Sequence, residues 1–157
     1  MRLMLLAALF LFACDCDRED GNIVYTPSDD RTMNNAISDA RAHLHVFEAE
    51  LSRAEPSKTF SLKKPFPVSN GSVEHMWLID VAAVDGGFEG RLDNEPRHAY
   101  ASVGQRYTVG REELTDWLIE DTQGRIWGGY TIRVVLDEMP PNQRAEVEKM
   151  LQPLPQP

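Results

Sequence analysis

The chain has 157 residues, 42% of them hydrophobic and 26% charged, with a formal net charge of −9. That length suits one domain with a core of its own, and the acidic balance excludes a phosphate-backbone grip and a patch-type hold on anionic lipid. The two cysteines, Cys14 and Cys16, both lie near the N-terminus, so the body of the chain offers no disulfide, no thiol nucleophile and no Cys-ligated metal.

The first segment reads MRLMLLAALFLFAC. Arg2 supplies a positive charge, and residues 3–13 are an unbroken apolar run. This run is shorter than the roughly 20 residues that span a bilayer and has the form of a secretory signal. The stretch LFAC, with Leu11 three before Cys14 and Ala13 directly before it, resembles a bacterial lipobox. Phe12 departs from the small residue usual in the middle of such a box. The resemblance implies cleavage before Cys14, lipidation (diacylglycerol and palmitate-type acylation) of that cysteine, and a protein held by a lipid anchor on the periplasmic side of the bacterial cell envelope. Asp15 resembles the signal that retains such proteins at the inner membrane. Residues 1–13 are thus read as a lipoprotein signal peptide and the acidic, turn-rich residues 14–31 as a flexible tether.

Met33, Ile37, Ala40, Leu44, Phe47 and Leu51 recur at intervals of four and three, which predicts one amphipathic helix. Asp30 or Thr32 can cap its start, and Ala54-Glu55-Pro56 ends it. His43 and His45 are two apart and point in different directions on a helix, so they make a poor metal pair.

After Pro56 the period changes to two. Strands are expected at 60–66, with Pro65 marking an edge strand or a strand end, then at 73–84, 88–92 and 103–109, the last opening with a turn. In 73–84 the positions Val73, His75, Trp77, Ile79, Val81 and Ala83 form the expected buried face. Two further strands, 117–121 and 125–136, would form a hairpin, and residues 140–151 a short closing helix, followed by a tail at 152–157. The fold class is therefore α+β, a single domain over residues 32–151. An N-terminal amphipathic helix packs on a strongly bent, mainly antiparallel sheet of five or six strands, partly closed in an SH3-like manner, with bending at glycines 86, 87, 128 and 129.

In the last hairpin a regular strand would expose Trp127 beside Arg125, as in a binding hot spot, whereas a bulge at Gly128–Gly129 would bury it. Asp116, Trp117, Trp127, Tyr130 and Arg133 are the candidate recognition surface. Asp116 most simply caps a turn. His75 and His98 are the candidate pocket residues; two histidines fall short of a structural zinc set, and no metal or cofactor is implied. No G-x-S-x-G, P-loop or dinucleotide-binding glycine motif occurs, so no catalytic residues are assigned.

The motifs EHMWLIDV, FEGRLDNEP, VGQRYTV, LTDWLIE and GGYTIRVVLDEMP, in this order after the MNNAISDAR helix, resemble the bacterial YegJ-like family, domain of unknown function 2314. The resemblance covers about residues 32–144 and implies a domain type without an assigned activity. The expected function is a non-enzymatic module that binds an envelope protein and no nucleic acid. An envelope enzyme around His75, His98 and Asp116 is the alternative from another class, and an immunity-type toxin inhibitor a special case of binding.

Overall fold

The computed structural model describes residues 30–69 and 71–155. The signal peptide, Cys14, Asp15, Cys16 and nearly all of the tether lie outside the described residues. Helix α1 spans Arg31–Ala42. Asp30 caps it, its carboxylate accepting from the amides of Thr32 at 2.8 Å and Met33 at 3.1 Å. Helix α2 spans Leu44–Arg53 and ends on Ala54 in the left-handed region, φ 50°. The expected single helix is thus divided at His43, whose ring Nδ1 lies 2.9 Å from the Asp39 carbonyl oxygen that its own amide also uses. The apolar stripe survives the division: Ala40, Leu44 and Phe47 are buried, joined by Ala36.

Six strands follow: β1 (Lys58–Pro67), β2 (Val73–Val84), β3 (Gly87–Leu92), β4 (Arg106–Gly110), β5 (Asp116–Asp121) and β6 (Ile126–Gly128). All five pairings are antiparallel, in the order β4-β3-β2-β1-β5-β6. The sheet is strongly bent, as expected, and is not closed into a barrel. It curls far enough for Phe66 on β1 to meet Tyr107 on β4 edge-on, with ring centroids 5.0 Å apart, and for Lys64 Nζ to donate to the Thr108 carbonyl oxygen at 2.8 Å. β1 is a central strand as far as Lys63, where pairing with β5 ends; Pro65 lies in the remainder, which pairs with β2 alone up to Pro67, so it stands on an edge stretch of the strand and not at its end.

The helices cover one face of the sheet. Phe47 is the centre of that core, its ring 5.5 Å from Phe60, 5.7 Å from Phe88 and 5.9 Å from Trp117. A buried side chain of this size contributes about 1.5–3 kcal/mol. A second, smaller core of Trp77, Leu118 and Ile126 lies on the opposite face, covered by Ile132, Met150 and Leu151. The middle of β2 is therefore buried on both sides: Met76, Trp77 and Leu78 are all inaccessible, whereas Val73, His75 and Ala83 are exposed. This corrects the expected odd-numbered buried face.

A bulge supplies the second half of that correction. Ile79 pairs with Arg91 and Ala82 with Glu89, so Asp80 and Val81 together oppose Gly90. Asp80 takes φ 52°, and Arg91 Nε bonds its carboxylate at 2.8 Å. Beyond the bulge the parity reverses, and Val81 packs on the same core as Leu78. The irregularity within the paired strands is this bulge; of the glycines named from the sequence, Gly86 and Gly87 lie where β2 turns into β3, and Gly128 and Gly129 lie at the end of β6.

The chain closes with α3 (Tyr130–Val134), a 3-10 turn (Leu136–Glu138) and α4 (Pro141–Met150). The expected long strand 125–136 is thus cut to Ile126–Gly128. Gly128 and Gly129 have φ of 87° and 68°, and a Cβ at Gly128 would lie 2.2 Å from the Trp117 carbonyl oxygen. The pair ends the strand and starts a helix, where a bulge within a continuing strand was expected. Residues 151–152 belong to the fold: Leu151 bridges to Ile126, and the Gln152 amide donates to the Ile126 carbonyl oxygen at 2.8 Å.

At Gly90 a Cβ would meet Leu78 Cβ at 2.8 Å and the Ile79 carbonyl oxygen at 3.0 Å. Neither neighbour is the end of a flexible side chain, so Gly90→Ala should lower unfolding stability by about 1–3 kcal/mol. Urea denaturation measures this; an unchanged midpoint would show that the bulge does not press on β3.

Candidate functional site

Most of the residues singled out from the sequence, His98 excepted, lie around β5, at whose start Asp116 and Trp117 point to opposite sides. Trp117 enters the main core, fully buried, and its Nε1 donates to the Ala40 carbonyl oxygen at 2.8 Å. Asp116 is 0% exposed. Its Oδ1 accepts from the amides of Trp117 at 2.8 Å and Tyr130 at 3.0 Å. Its Oδ2 accepts from the Thr131 amide at 2.8 Å and the Thr131 hydroxyl at 2.6 Å. The first amides of α3 have no acceptor within the helix, and Gly129 before it has no side chain to cap them. Asp116 reaches across from β5 and does so instead.

Lys63 on β1 pairs with Asp116 in the ladder. Its half-buried amine donates to Thr131 Oγ1 at 3.2 Å and lies 5.5 Å from the Trp77 ring centroid. Burial lowers the Lys63 pKa, with Asp116 opposing the shift. Burial raises the Asp116 pKa against the bonds from Thr131 and Trp117 and the charge of Lys63. The two ionisable groups thus face each other through one hydroxyl. Lys63 is a member of this cluster that sequence reading missed; the only signal was its polar position in the alternation of 60–66.

His75, paired with Pro65, extends the cluster: its Nδ1 lies 3.0 Å from Thr115 Oγ1. The residue is exposed overall, yet its pKa is lowered to about 4, first by desolvation of the ring and then by the charge of Lys63. His98 is elsewhere: its amide donates at 3.0 Å to Glu74, the residue before His75 and so on the other side of the strand. His75 and Asp116 come into one neighbourhood through Thr115, and His98 does not join them. Among the described residues no group of His, Cys, Asp and Glu side chains could hold a metal ion.

The candidate recognition surface needs correction at three of its five positions. Asp116 and Trp117 are fully buried and Tyr130 is 3% exposed. Tyr130 stands on α3, 5.6 Å from the Trp117 ring and stacked at 5.8 Å on His43. Burial pushes its pKa up to about 12. Trp127 is half-buried, packed on the main core, with the Arg125 guanidinium 5.5 Å from its ring centroid. Arg133 is half-buried as well and donates to the carbonyl oxygens of Gly128 at 3.2 Å and Gln152 at 2.6 Å. These five residues form a structural lock that joins β5, β6, α3 and the C-terminal segment.

Asp116→Ala would leave buried amides without an acceptor. A loss of about 3–5 kcal/mol is expected, and Asp116→Asn should recover part of it because one carbonyl oxygen remains. Equal stability of the alanine variant and wild type in denaturant would contradict the lock.

The His75 shift also sets a pH dependence. A lowered folded pKa means that the contribution of neutral His75 is full above its ordinary value of 6.5 and is lost as pH falls through about 4. The stability difference between wild type and His75→Asn should therefore shrink as pH drops from 6.5 to 4. A difference that stays constant over that range would place the ring in open solvent.

Residues 30–151 match the family described as "Uncharacterized protein conserved in bacteria (DUF2314)". The chain is also similar to "Uncharacterized protein YegJ" of Escherichia coli (strain K12), with 30% identity over 151 residues that cover 95% of this chain and 96% of the relative. No solved structure matches it. A family match over residues 30–151, joined to a relative similar along nearly its whole length, makes this chain a member of the DUF2314 family.

Proposed function

We propose that this protein is a lipid-anchored component of the bacterial envelope whose domain binds another envelope protein and performs no chemistry of its own. The observation that carries the anchor is the leader: an apolar run over residues 3–13 that ends in Leu11-Phe12-Ala13-Cys14. Similarity to the E. coli relative covers 95% of the chain, which is more than the family domain at residues 30–151, so it reaches into this leader. Among the described residues no helix is long and apolar enough to cross a membrane, and in this reading attachment rests on Cys14.

Two placements support binding over catalysis. Asp116 spends both carboxylate oxygens on backbone amides and a threonine hydroxyl, and it has no exposed surface from which to reach a substrate. The His75 ring bonds Thr115, whereas the His98 amide is held by Glu74, whose side chain points to the other side of β2. The inner membrane is the favoured location in this reading because of Asp15.

The anchor is tested by growing cells with an alkyne fatty acid and reading label on the purified protein. Wild type should carry label and Cys14→Ser none. Label retained by the serine variant, or absent from wild type, would remove the anchor from this reading.

A further inference from the structure

Among the described residues only Val73, Val84, Tyr100 and Val103 are large hydrophobics exposed to solvent. Tyr100 and Val103 belong to the loop of residues 93–105 between β3 and β4, which Glu74 holds, whereas Val73 points to the opposite side of β2 from Glu74 and Val84 ends that strand. Scattered exposed side chains are ordinary; what sets this loop apart is how it is held.

The loop is built as a fixed object. Glu74 accepts the amides of Arg97 at 2.9 Å, His98 at 3.0 Å and Ala99 at 2.9 Å. Ala99 also bridges to Val68. The base is closed by Asn94 Oδ1, which accepts the Trp77 amide at 2.6 Å, and by the Leu92–Gln105 and Gly104–Leu92 backbone bonds. On the far side the Ser102 amide donates to the Tyr107 hydroxyl at 2.9 Å. Ala99 and Ala101 pack on the main core, so the residue between them is turned outward: Tyr100 is 87% exposed.

A backbone already held in place has lost most of its conformational entropy before any partner arrives, and the tyrosine it displays has only two side-chain angles left to fix. Such rings are the commonest interface anchors. We infer that the Glu74-held loop is the recognition element of this protein and that Tyr100 is its anchor, inserted into an apolar pocket on a basic protein. The basic partner follows from charge. At −9 the chain repels a second copy of itself and anionic lipid, and it steers a positively charged protein. This inference rests on the binding reading above and names its surface.

The test uses the full-length protein in intact envelopes, with a photo-crosslinking phenylalanine analogue in place of Tyr100 and, separately, of Val84 at the β2–β3 turn. A discrete protein adduct is expected from position 100 and none from position 84. The captured protein, purified, should bind wild type with an affinity that falls as salt rises. Tyr100→Ala should weaken that binding by about 30-fold or more. Glu74→Gln should weaken it by more than its modest loss of thermal stability accounts for, and Val84→Ser should leave it unchanged. An adduct of two copies of the chain, an adduct with lipid, or a partner whose affinity ignores Tyr100→Ala overturns the assignment. Adducts from position 84 alone would move the surface while leaving the binding reading intact. No protein adduct from either position would overturn both.

Discussion

One buried carboxylate decides how the C-terminal third of this fold is arranged. Asp116 has no exposed surface and accepts four hydrogen bonds, three from backbone amides and one from Thr131. Bonds to a charged acceptor contribute about 1.5–3 kcal/mol each, and burying the ion costs several. Burial raises the Asp116 pKa against those bonds and the nearby Lys63. Asp116 specifies the turn that follows β6. Without it the chain has no acceptor for the first amides of α3, and the left-handed pair Gly128–Gly129 has nothing to turn toward.

Other features follow from that turn. Because the chain leaves the sheet at Gly128, Arg133 comes to lie where it can bond the Gly128 and Gln152 carbonyl oxygens. That contact and the Ile126–Leu151 bridge lay the C-terminal segment along β6. The edge strand is thereby covered, which removes one template for strand addition. The same segment brings Met150 and Leu151 over Trp77, Leu118 and Ile126, and so creates the second core. A sheet covered on both faces at its centre explains why β2 buries three consecutive residues instead of alternate ones.

The legible parts of the sequence were those governed by local rules. The stripe from Met33 to Leu51, the Asp30 cap, the ends of β2 and the proline start of α4 all follow from periodicity and capping. The Gly128–Gly129 pair was legible as an irregularity and not as a helix start, because the residue that caps α3 lies 14 positions from Tyr130 on another strand. Nothing near Tyr130 announces it. The bulge at Asp80–Val81 was hidden for a similar reason: its necessity resides in Gly90 on the neighbouring strand. The candidate surface failed at Asp116, Trp117 and Tyr130 because a strand–glycine–aromatic pattern reads the same whether the aromatics pack inward or display outward. The exposed Tyr100 carried no signal at all, since its orientation comes from the packing of Ala99 and Ala101.

Glu74 and Asp116 use one device with opposite electrostatic outcomes. Glu74 collects three backbone amides from the loop, and Asp116 two from the start of α3 together with that of its neighbour Trp117. At Asp116 burial wins and the pKa rises. At Glu74 burial also pushes the pKa up, yet the amides of Arg97, His98 and Ala99 outweigh it, and the pKa falls below the ordinary 4.5. By linkage Glu74 contributes stability above that ordinary value and loses it only as pH falls further. The surface loop is thus held by a net favourable interaction at neutral pH, while the interior turn is held by one that costs the fold free energy to charge. The side chain that this rigidity displays is Tyr100, 87% exposed between Ala99 and Ala101, which pack inward.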